Sequence, residues 1–207
     1  MKHIKTLGLL AIAAMALTAF VGVSSASAAT KFTSSVSGAA ISETTLKTHV
    51  FTVTGSEVKC TNITYTGTTN GTEATEQMVT PKYEGCTAFG LPATVTVKNC
   101  TYNLTIGGSA HMEKVNAAGE ACEIVIKASN IFGECLVDVA AQTVNGLTYS
   151  NDASNANAII VNINASNISD NVTKSSGVCP LTVGKHSTAT YTGESTVTAS
   201  GADLTID

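Results

Sequence analysis

The chain has 207 residues, with 11 lysines, no arginine, no tryptophan and 15 acidic residues, for a formal net charge of −4. An acidic chain without arginine lacks both the bidentate fork and the basic field that phosphate and nucleic-acid binding need, so we expect no nucleic-acid partner. The same overall charge argues against attraction to an anionic membrane surface.

The N-terminal segment, residues 1–28, predicts a cleaved secretory signal peptide. Lys2 and Lys5 give it a basic start, residues 7–23 are almost wholly apolar or small, and Ala26-Ser27-Ala28 is a small-x-small cleavage site. The apolar run is short for a membrane span, and no charged stop-transfer cluster follows it. Removal of residues 1–28 leaves 207 − 28 = 179 residues with a formal charge of (11 − 2) − 15 = −6. We therefore expect a secreted or cell-envelope-associated protein without a transmembrane segment in the mature chain.

The remainder, residues 29–207, predicts a single all-β domain with disulfides. Threonine and valine dominate, and their branched β-carbons suit a pleated surface and disfavour helix. Short strands spaced about ten residues apart, with turn signals between them, are typical of a β-sandwich or a barrel, and we predict an antiparallel β-sandwich-like domain. The predicted strands cover residues 31–36, 49–54, 57–67, 77–83, 94–106, 122–127, 135–140, 159–165, 188–192, 195–199 and 204–207.

Turns and breaks divide these strands. Asn70-Gly71 and Asn145-Gly146 accept a positive φ at little cost, so each predicts a tight turn, the second within a hairpin from residue 143 to residue 149. Pro81 lacks a ladder donor and predicts an edge or a bulge in its strand. The segments 37–45 and 107–119 are predicted to be loops.

Alternation of polar and apolar residues predicts which side chains face the core. From Thr101 to Ile106, the threonines and the asparagine are predicted to face solvent, and the apolar residues between them to face the core. Ile124 and Ile126 are predicted to face Val137 and Val139 across a strand pair.

Six cysteines in an exported chain predict disulfides. A zinc site is disfavoured because no Cys-x-x-Cys pair is present. Six cysteines allow about 15 pairings, and the sequence does not choose among them. Joining near neighbours gives the pairs Cys86–Cys100, Cys122–Cys135 and, as the long closure, Cys60–Cys179.

A family resemblance rests on short motifs that occur in a fixed order. They are His49-Val50-Phe51, Val58-Lys59-Cys60, the run from Tyr83 to Gly90 that contains Gly-Cys-Thr-Ala-Phe-Gly, and Asn99-Cys100-Thr101-Tyr102. The chain resembles a family of uncharacterised exported, cysteine-containing, β-rich proteins of soil actinobacteria. The resemblance implies export and an all-β fold, and it supplies no site residues.

Catalytic chemistry finds little support in the sequence. Only His49, His111 and His186 follow the predicted signal peptide, and no Gly-x-Ser-x-Gly motif is present. The acidic residues are scattered and mostly lie beside turns. We predict no catalytic, metal-binding or cofactor-binding residues, and no cofactor.

The sequence favours a non-enzymatic extracellular or cell-envelope binding or structural module, with cell-wall polysaccharide, other extracellular polysaccharide or protein as its partner. A secreted hydrolase is the alternative, and it requires one of the three histidines to lie in a cleft within reach of a serine or a carboxylate. A small-ligand carrier is the further alternative, and it requires an apolar cavity.

Overall fold

The structure is a computed structural model that describes residues 29–116 and 118–207, so the predicted signal peptide lies outside the described residues. The regular structure of the described residues consists of β-strands alone, which confirms the all-β prediction. The fifteen strands are β1 (Phe32–Ser34), β2 (Ala40–Val53), β3 (Ser56–Thr68), β4 (Glu73–Ala74), β5 (Glu76–Ala88), β6 (Leu91–Lys98), β7 (Cys100–Thr105), β8 (Ser109–Lys114), β9 (Glu123–Asn130), β10 (Gly133–Ala140), β11 (Thr143–Asn145), β12 (Leu147–Asn151), β13 (Ala158–Ser175), β14 (Gly184–Ala199) and β15 (Leu204–Ile206).

Eight of these strands form a closed antiparallel barrel rather than the predicted sandwich. Their order around the ring is β5, β3, β2, β14, β13, β10, β9 and β6, and β6 returns to pair with β5. A sandwich and a barrel share the same alternation and strand spacing along the chain. The difference lies in the pairing of β6 with both β5 and β9, which leaves the ring without a free edge.

The long strands β2, β3, β5, β13 and β14 extend beyond this ring into a second half of the molecule. There β5 pairs with β7, followed by β8 and β11, while β12 pairs with β13. The bend at Gly146 joins the two sides, because the N–H groups of Gly146 and Leu147 donate to the Gly108 carbonyl at 3.1 and 3.0 Å. The Asn164 N–H donates in turn to the Gly146 carbonyl at 2.8 Å.

The core fills the interior of both halves and is closed at each end by side chains. At one end the buried residues Val53, Val137 and Val172 are each 0% exposed. At the other, a small sheet of β15, β1 and β4 brings Phe32 edge-on against Tyr149, with ring centroids 5.0 Å apart. The apolar residues that alternate along the strands therefore face a closed interior.

Several local predictions are confirmed. Asn70-Gly71 lies in the turn after β3, where Gly71 has a φ of 89°. Ile126 pairs with Val137 and Ile124 with Val139 across β9 and β10.

The proline prediction also holds. Strand β5 pairs with β7 over residues 76–79 and with β6 over residues 86–88, so Pro81 lies in an interval where only β3 accompanies it.

Other local predictions are wrong. Asn145-Gly146 is a bend between strands that pair with different partners, not a hairpin turn. The predicted strand 94–106 is two strands, because Asn99 adopts a φ of 46° between them. The predicted loop 107–119 contains β8, and Thr101, predicted to face solvent, is buried and donates to the Val79 carbonyl at 3.0 Å.

The three disulfides confirm that all six cysteines are bonded. The bonds are Cys60–Cys86, Cys100–Cys122 and Cys135–Cys179. The predicted pairs Cys86–Cys100, Cys122–Cys135 and Cys60–Cys179 are wrong. Nearness along the chain failed because pairing is set across strands: Cys60 and Cys86 are direct partners on β3 and β5, with Cα atoms 4.0 Å apart.

Peptide mapping tests this connectivity directly. Cleavage after lysine under non-reducing conditions separates the six cysteines into the peptides 60–82, 83–98, 99–114, 115–127, 128–174 and 175–185. We expect mass spectrometry to find 60–82 joined to 83–98, 99–114 to 115–127, and 128–174 to 175–185. A species that joins 83–98 to 99–114 would contradict the strand pairing and restore the neighbour pairing; a reduced digest is the control.

Candidate functional site

The candidate site is a buried hydrogen-bonded cluster between β2 and β14, formed by Glu43, His49, Tyr191 and Ser195. Its placement follows from alternation, since His49 shares the inward face of β2 with Phe51, and Ser195 is 1% exposed. His49 is also 1% exposed, and Glu43 is 7% exposed. We call these four residues the buried polar cluster.

The hydrogen bonds of this cluster link its four side chains in the order Glu43, Ser195, His49 and Tyr191. Ser195 Oγ donates to Glu43 Oε1. His49 Nε2 lies 3.0 Å from Ser195 Oγ, and His49 Nδ1 lies 2.6 Å from the Tyr191 hydroxyl. With Ser195 as donor to Glu43, the tautomer that satisfies both contacts is the one in which the imidazole donates from Nε2 to Ser195 and accepts at Nδ1 from Tyr191.

Burial sets the protonation states within the cluster. It lowers the pKa of His49 to about 4, against the opposing effect of the Glu194 backbone, so the imidazole is neutral at pH 7. It raises the pKa of Glu43 to about 7, an effect that hydrogen bonds from Ser195 and the Tyr65 backbone partly offset. The cluster therefore carries at most one negative charge near neutral pH.

Irregular strand pairing makes room for these polar groups. The ladder between β2 and β3 lapses between Ile41 and His49, and the register of β2 against β14 shifts near Glu194. Within the gap, Thr45 Oγ1 accepts from the Ile63 N–H at 2.8 Å. Side chains of β2 thus replace missing ladder bonds, as is typical of bulged segments.

A glycine provides the space for the imidazole. Gly193 lies beside the His49 ring, and a Cβ at position 193 would overlap the ring atoms. Since Gly193 does not adopt a positive φ, its role here is steric and not conformational.

A narrow interior cavity of about 70 Å³ lies next to the cluster. His49, Tyr83, Tyr102 and Tyr191 supply its polar groups, and the rest of the lining is apolar, with aliphatic side chains beside Phe51, Met112 and the Cys60 disulfide. Tyr83 and Tyr102 hydroxyls are 3.0 Å apart. A further space of about 50 Å³, also lined by Tyr102 and Tyr191, lies in the second half of the molecule. Both volumes are far below the roughly 300 Å³ at which ordinary ligand pockets begin.

The two other histidines also have polar partners. His186 Nδ1 lies 3.2 Å from Asp170 Oδ2, and burial raises the pKa of that carboxyl. His111 Nδ1 lies 2.8 Å from Thr143 Oγ1, and its Nε2 lies 3.4 Å from Ser109 Oγ. The three histidines are distributed over different strands and do not meet in one site.

The buried polar cluster was missed in the sequence, although alternation contained the signal. His49, Phe51 and Val53 have the period of one face, and so do Ser195, Val197 and Ala199. Glu43 gave no such signal, because it lies in a segment rich in small residues that predicted a loop.

Comparisons with known proteins add no relative. Searches against protein-family models, curated proteins and solved structures gave no match. Among the described residues, no three His, Cys, Asp or Glu side chains group as a metal site would require. Residues 29–116 and 118–207 contain no helix long and apolar enough to cross a membrane.

Gly193→Ala tests the packing of the imidazole. We expect it to destabilise the fold by about 1–3 kcal/mol, since the added methyl group overlaps a ring held by hydrogen bonds on both sides. Urea unfolding measures the change. Gly107→Ala, where a Cβ meets only the Thr105 hydroxyl at 3.7 Å, is the control and should change stability by less than about 0.5 kcal/mol. In a His49→Ala background the cost of Gly193→Ala should vanish; an equal cost in both backgrounds would contradict the steric role.

Glu43→Gln tests the raised pKa. Between pH 4.5 and 7 the folded state binds more protons at Glu43 than the unfolded state does, so the wild-type carboxyl destabilises the fold progressively as the pH rises. The stability of the wild type relative to Glu43→Gln should fall by roughly 3 kcal/mol across that interval and stay level above it.

The measurement for Glu43→Gln is urea unfolding at a series of pH values. His49 is present in both proteins, so its own titration cancels in the difference. Glu84→Gln is the control, because Lys82 lowers the pKa of Glu84 at the surface, and its difference curve should not fall over this interval. A level curve for Glu43→Gln would show that the carboxyl is not held protonated.

Proposed function

We propose that this protein is an exported, non-enzymatic module that binds the cell envelope through its outer surface. The observation that carries the proposal is the ring of strands around an interior with only small spaces, in which His49 and Ser195 are each 1% exposed. A partner of any size can therefore meet only the outside of the barrel. From the resemblance of its motifs, we further propose kinship with the exported actinobacterial proteins named above.

The geometry of the buried polar cluster gives the hydrolase alternative little support. In a nucleophilic triad the imidazole lies between the hydroxyl and the carboxylate, so that it can take the hydroxyl proton. Here Ser195 lies between His49 and Glu43 and donates to the carboxyl. The imidazole is oriented by Tyr191 instead.

The carrier alternative finds little room in the barrel. The interior spaces of about 70 and 50 Å³ suit a few small molecules such as water, and not a ligand of ordinary size. On the polar side of the larger space, the Tyr83 and Tyr102 hydroxyls hydrogen-bond to each other and the Tyr191 hydroxyl bonds to His49.

The outer surface of β3, β2, β14 and β13 is the best candidate for envelope binding. It presents hydroxyl and amide groups in adjacent rows: Thr196 pairs with Thr44, and Thr192 pairs with Asn164. Lys47 and Glu194 form an ion pair on it, with Nζ and Oε2 2.6 Å apart. We call this surface the threonine–asparagine face; its members are Ser42, Thr44, Thr64, Thr66, Asn162, Asn164, Thr192 and Thr196.

Polysaccharide is the partner that this chemistry favours. Sugars offer many hydroxyl groups, which threonine hydroxyls and asparagine amides can both donate to and accept from. The five tyrosines are buried or line the interior, so binding on this face rests on hydrogen bonds and not on aromatic stacking. We therefore expect weak binding per site that is strengthened by repeated contacts along a polymer.

Sedimentation with isolated cell walls tests the proposal. We expect the oxidised wild-type protein to sediment with the walls and to be released by soluble wall polysaccharide. Thr44→Glu with Thr192→Glu places two carboxylates on the threonine–asparagine face and should reduce sedimentation at least tenfold. Thr94→Glu with Thr96→Glu, at two exposed positions on β6 across the ring, adds the same charge and is the control. Absence of wild-type sedimentation, or equal loss with the β6 variant, would contradict the assignment.

A further inference from the structure

The turn between β9 and β10 has an unusual composition. Asn130 pairs with Gly133, so Ile131 and Phe132 alone form the two-residue connection. Neither residue adopts a positive φ, and the Asn130 side chain accepts from the Phe132 N–H at 2.8 Å. Asn before and Gly after the two central residues suit a type I turn, which accepts most residues at its centre. Two large apolar residues at this position help neither the turn nor solubility.

These side chains are the most exposed apolar groups among the described residues. Ile131 is 91% exposed and Phe132 is 71% exposed, while Val178 in the neighbouring loop is 42% exposed. We call Ile131, Phe132 and Val178 the apolar tip. Single exposed apolar residues are ordinary, but adjacent ones that form a patch are typical of protein or membrane interaction sites.

A disulfide, backbone hydrogen bonds and a close backbone contact constrain the base of the apolar tip. The Cys135–Cys179 disulfide ties the hairpin to the loop that carries Val178. Glu134 and Ser176 exchange backbone hydrogen bonds of 3.2 and 3.0 Å. Gly177 lies so close to the Phe132 carbonyl that a Cβ there would overlap it. The exposure of the tip is therefore a fixed feature of the barrel end.

Charge around the apolar tip differs from that of the whole chain. Lys127 and Lys174 both pair with Glu134, at 3.2 and 2.6 Å, which leaves one positive charge in excess beside the tip. Residues 29–207 as a whole carry nine lysines against 15 acidic residues. Lysines behind exposed apolar groups can reach anionic headgroups while the apolar groups enter the bilayer.

We propose that the apolar tip docks the protein on an anionic lipid bilayer, with Ile131 and Phe132 inserted at the interface and Lys127 and Lys174 against the headgroups. A two-residue projection matches the shallow depth at which interfacial side chains sit. A second copy of the chain fits less well, since two tips would bring like charges together. The proposal does not depend on wall binding, which uses a different face. The net negative charge of the chain predicted no attraction to an anionic membrane. The proposal differs from that prediction because Lys127 and Lys174 place positive charge beside the apolar tip.

A single-tryptophan reporter tests insertion, since the chain has no tryptophan of its own. We expect the emission of Phe132→Trp to shift to shorter wavelength when vesicles of phosphatidylcholine with about one-third phosphatidylglycerol are added. Leu46→Trp, at a 50% exposed site on β2, is the matched control and should not shift. Equal shifts at both positions, or none at position 132, would overturn the proposal.

Vesicle flotation of the oxidised protein tests the side chains themselves. Ile131→Ser with Phe132→Asn places polar residues at the two central positions, which a type I turn accepts, so the fold should keep its thermal stability while vesicle binding falls at least tenfold. Lys127→Gln with Lys174→Gln should weaken binding severalfold and reduce its dependence on salt. Unchanged flotation of this double variant would overturn the proposal. So would a concentration-dependent dimer that the same variant abolishes, which would make the tip a self-association surface.

Discussion

The pairing of β6 with both β5 and β9 is the constraint on which the rest of the structure depends. It turns a row of antiparallel strands into a ring, so no strand of that ring presents an open edge. It also commits the inward side chains of eight strands to one enclosed space. Polar groups that point inward are then stabilised mainly by partners inside, as in the buried polar cluster, because water reaches that space poorly.

Local features of this fold could be predicted, and long-range pairing could not. The strand composition and the facing of Ile124 and Ile126 toward Val137 and Val139 follow from branched residues and a period of two. A barrel and a sandwich have the same local signals, so the choice between them depends on contacts distant in sequence. The disulfide pairs depend on the same contacts, which is why joining neighbouring cysteines failed.

Backbone exceptions at two asparagines explain two of the differences between the predicted and the observed strands. Asn99 and Asn167 adopt φ values of 46° and 58°, a conformation that asparagine tolerates better than most residues. Asn99 divides a strand that its apolar pattern predicts as continuous. Asn167 has the opposite effect, since it lies in a bulge that lets β13 continue to Ser175. An asparagine in a threonine-rich sequence therefore does not show by itself whether a strand ends there or continues through a bulge.

The buried polar cluster is best understood as part of the strand architecture. Glu43 and Thr45 lie where β2 loses its ladder to β3, and Ser195 lies where β14 shifts register against β2. Their side chains form hydrogen bonds where the backbone ladder is interrupted. These bonds specify one irregular register, which apolar side chains alone would not specify. His49 and Tyr191 extend the same network across the barrel, with Gly193 leaving the space. Because this cluster is buried and bonds strands together, the surfaces that we propose for partners lie outside it: the threonine–asparagine face and the apolar tip, which lie on different parts of one cross-linked barrel.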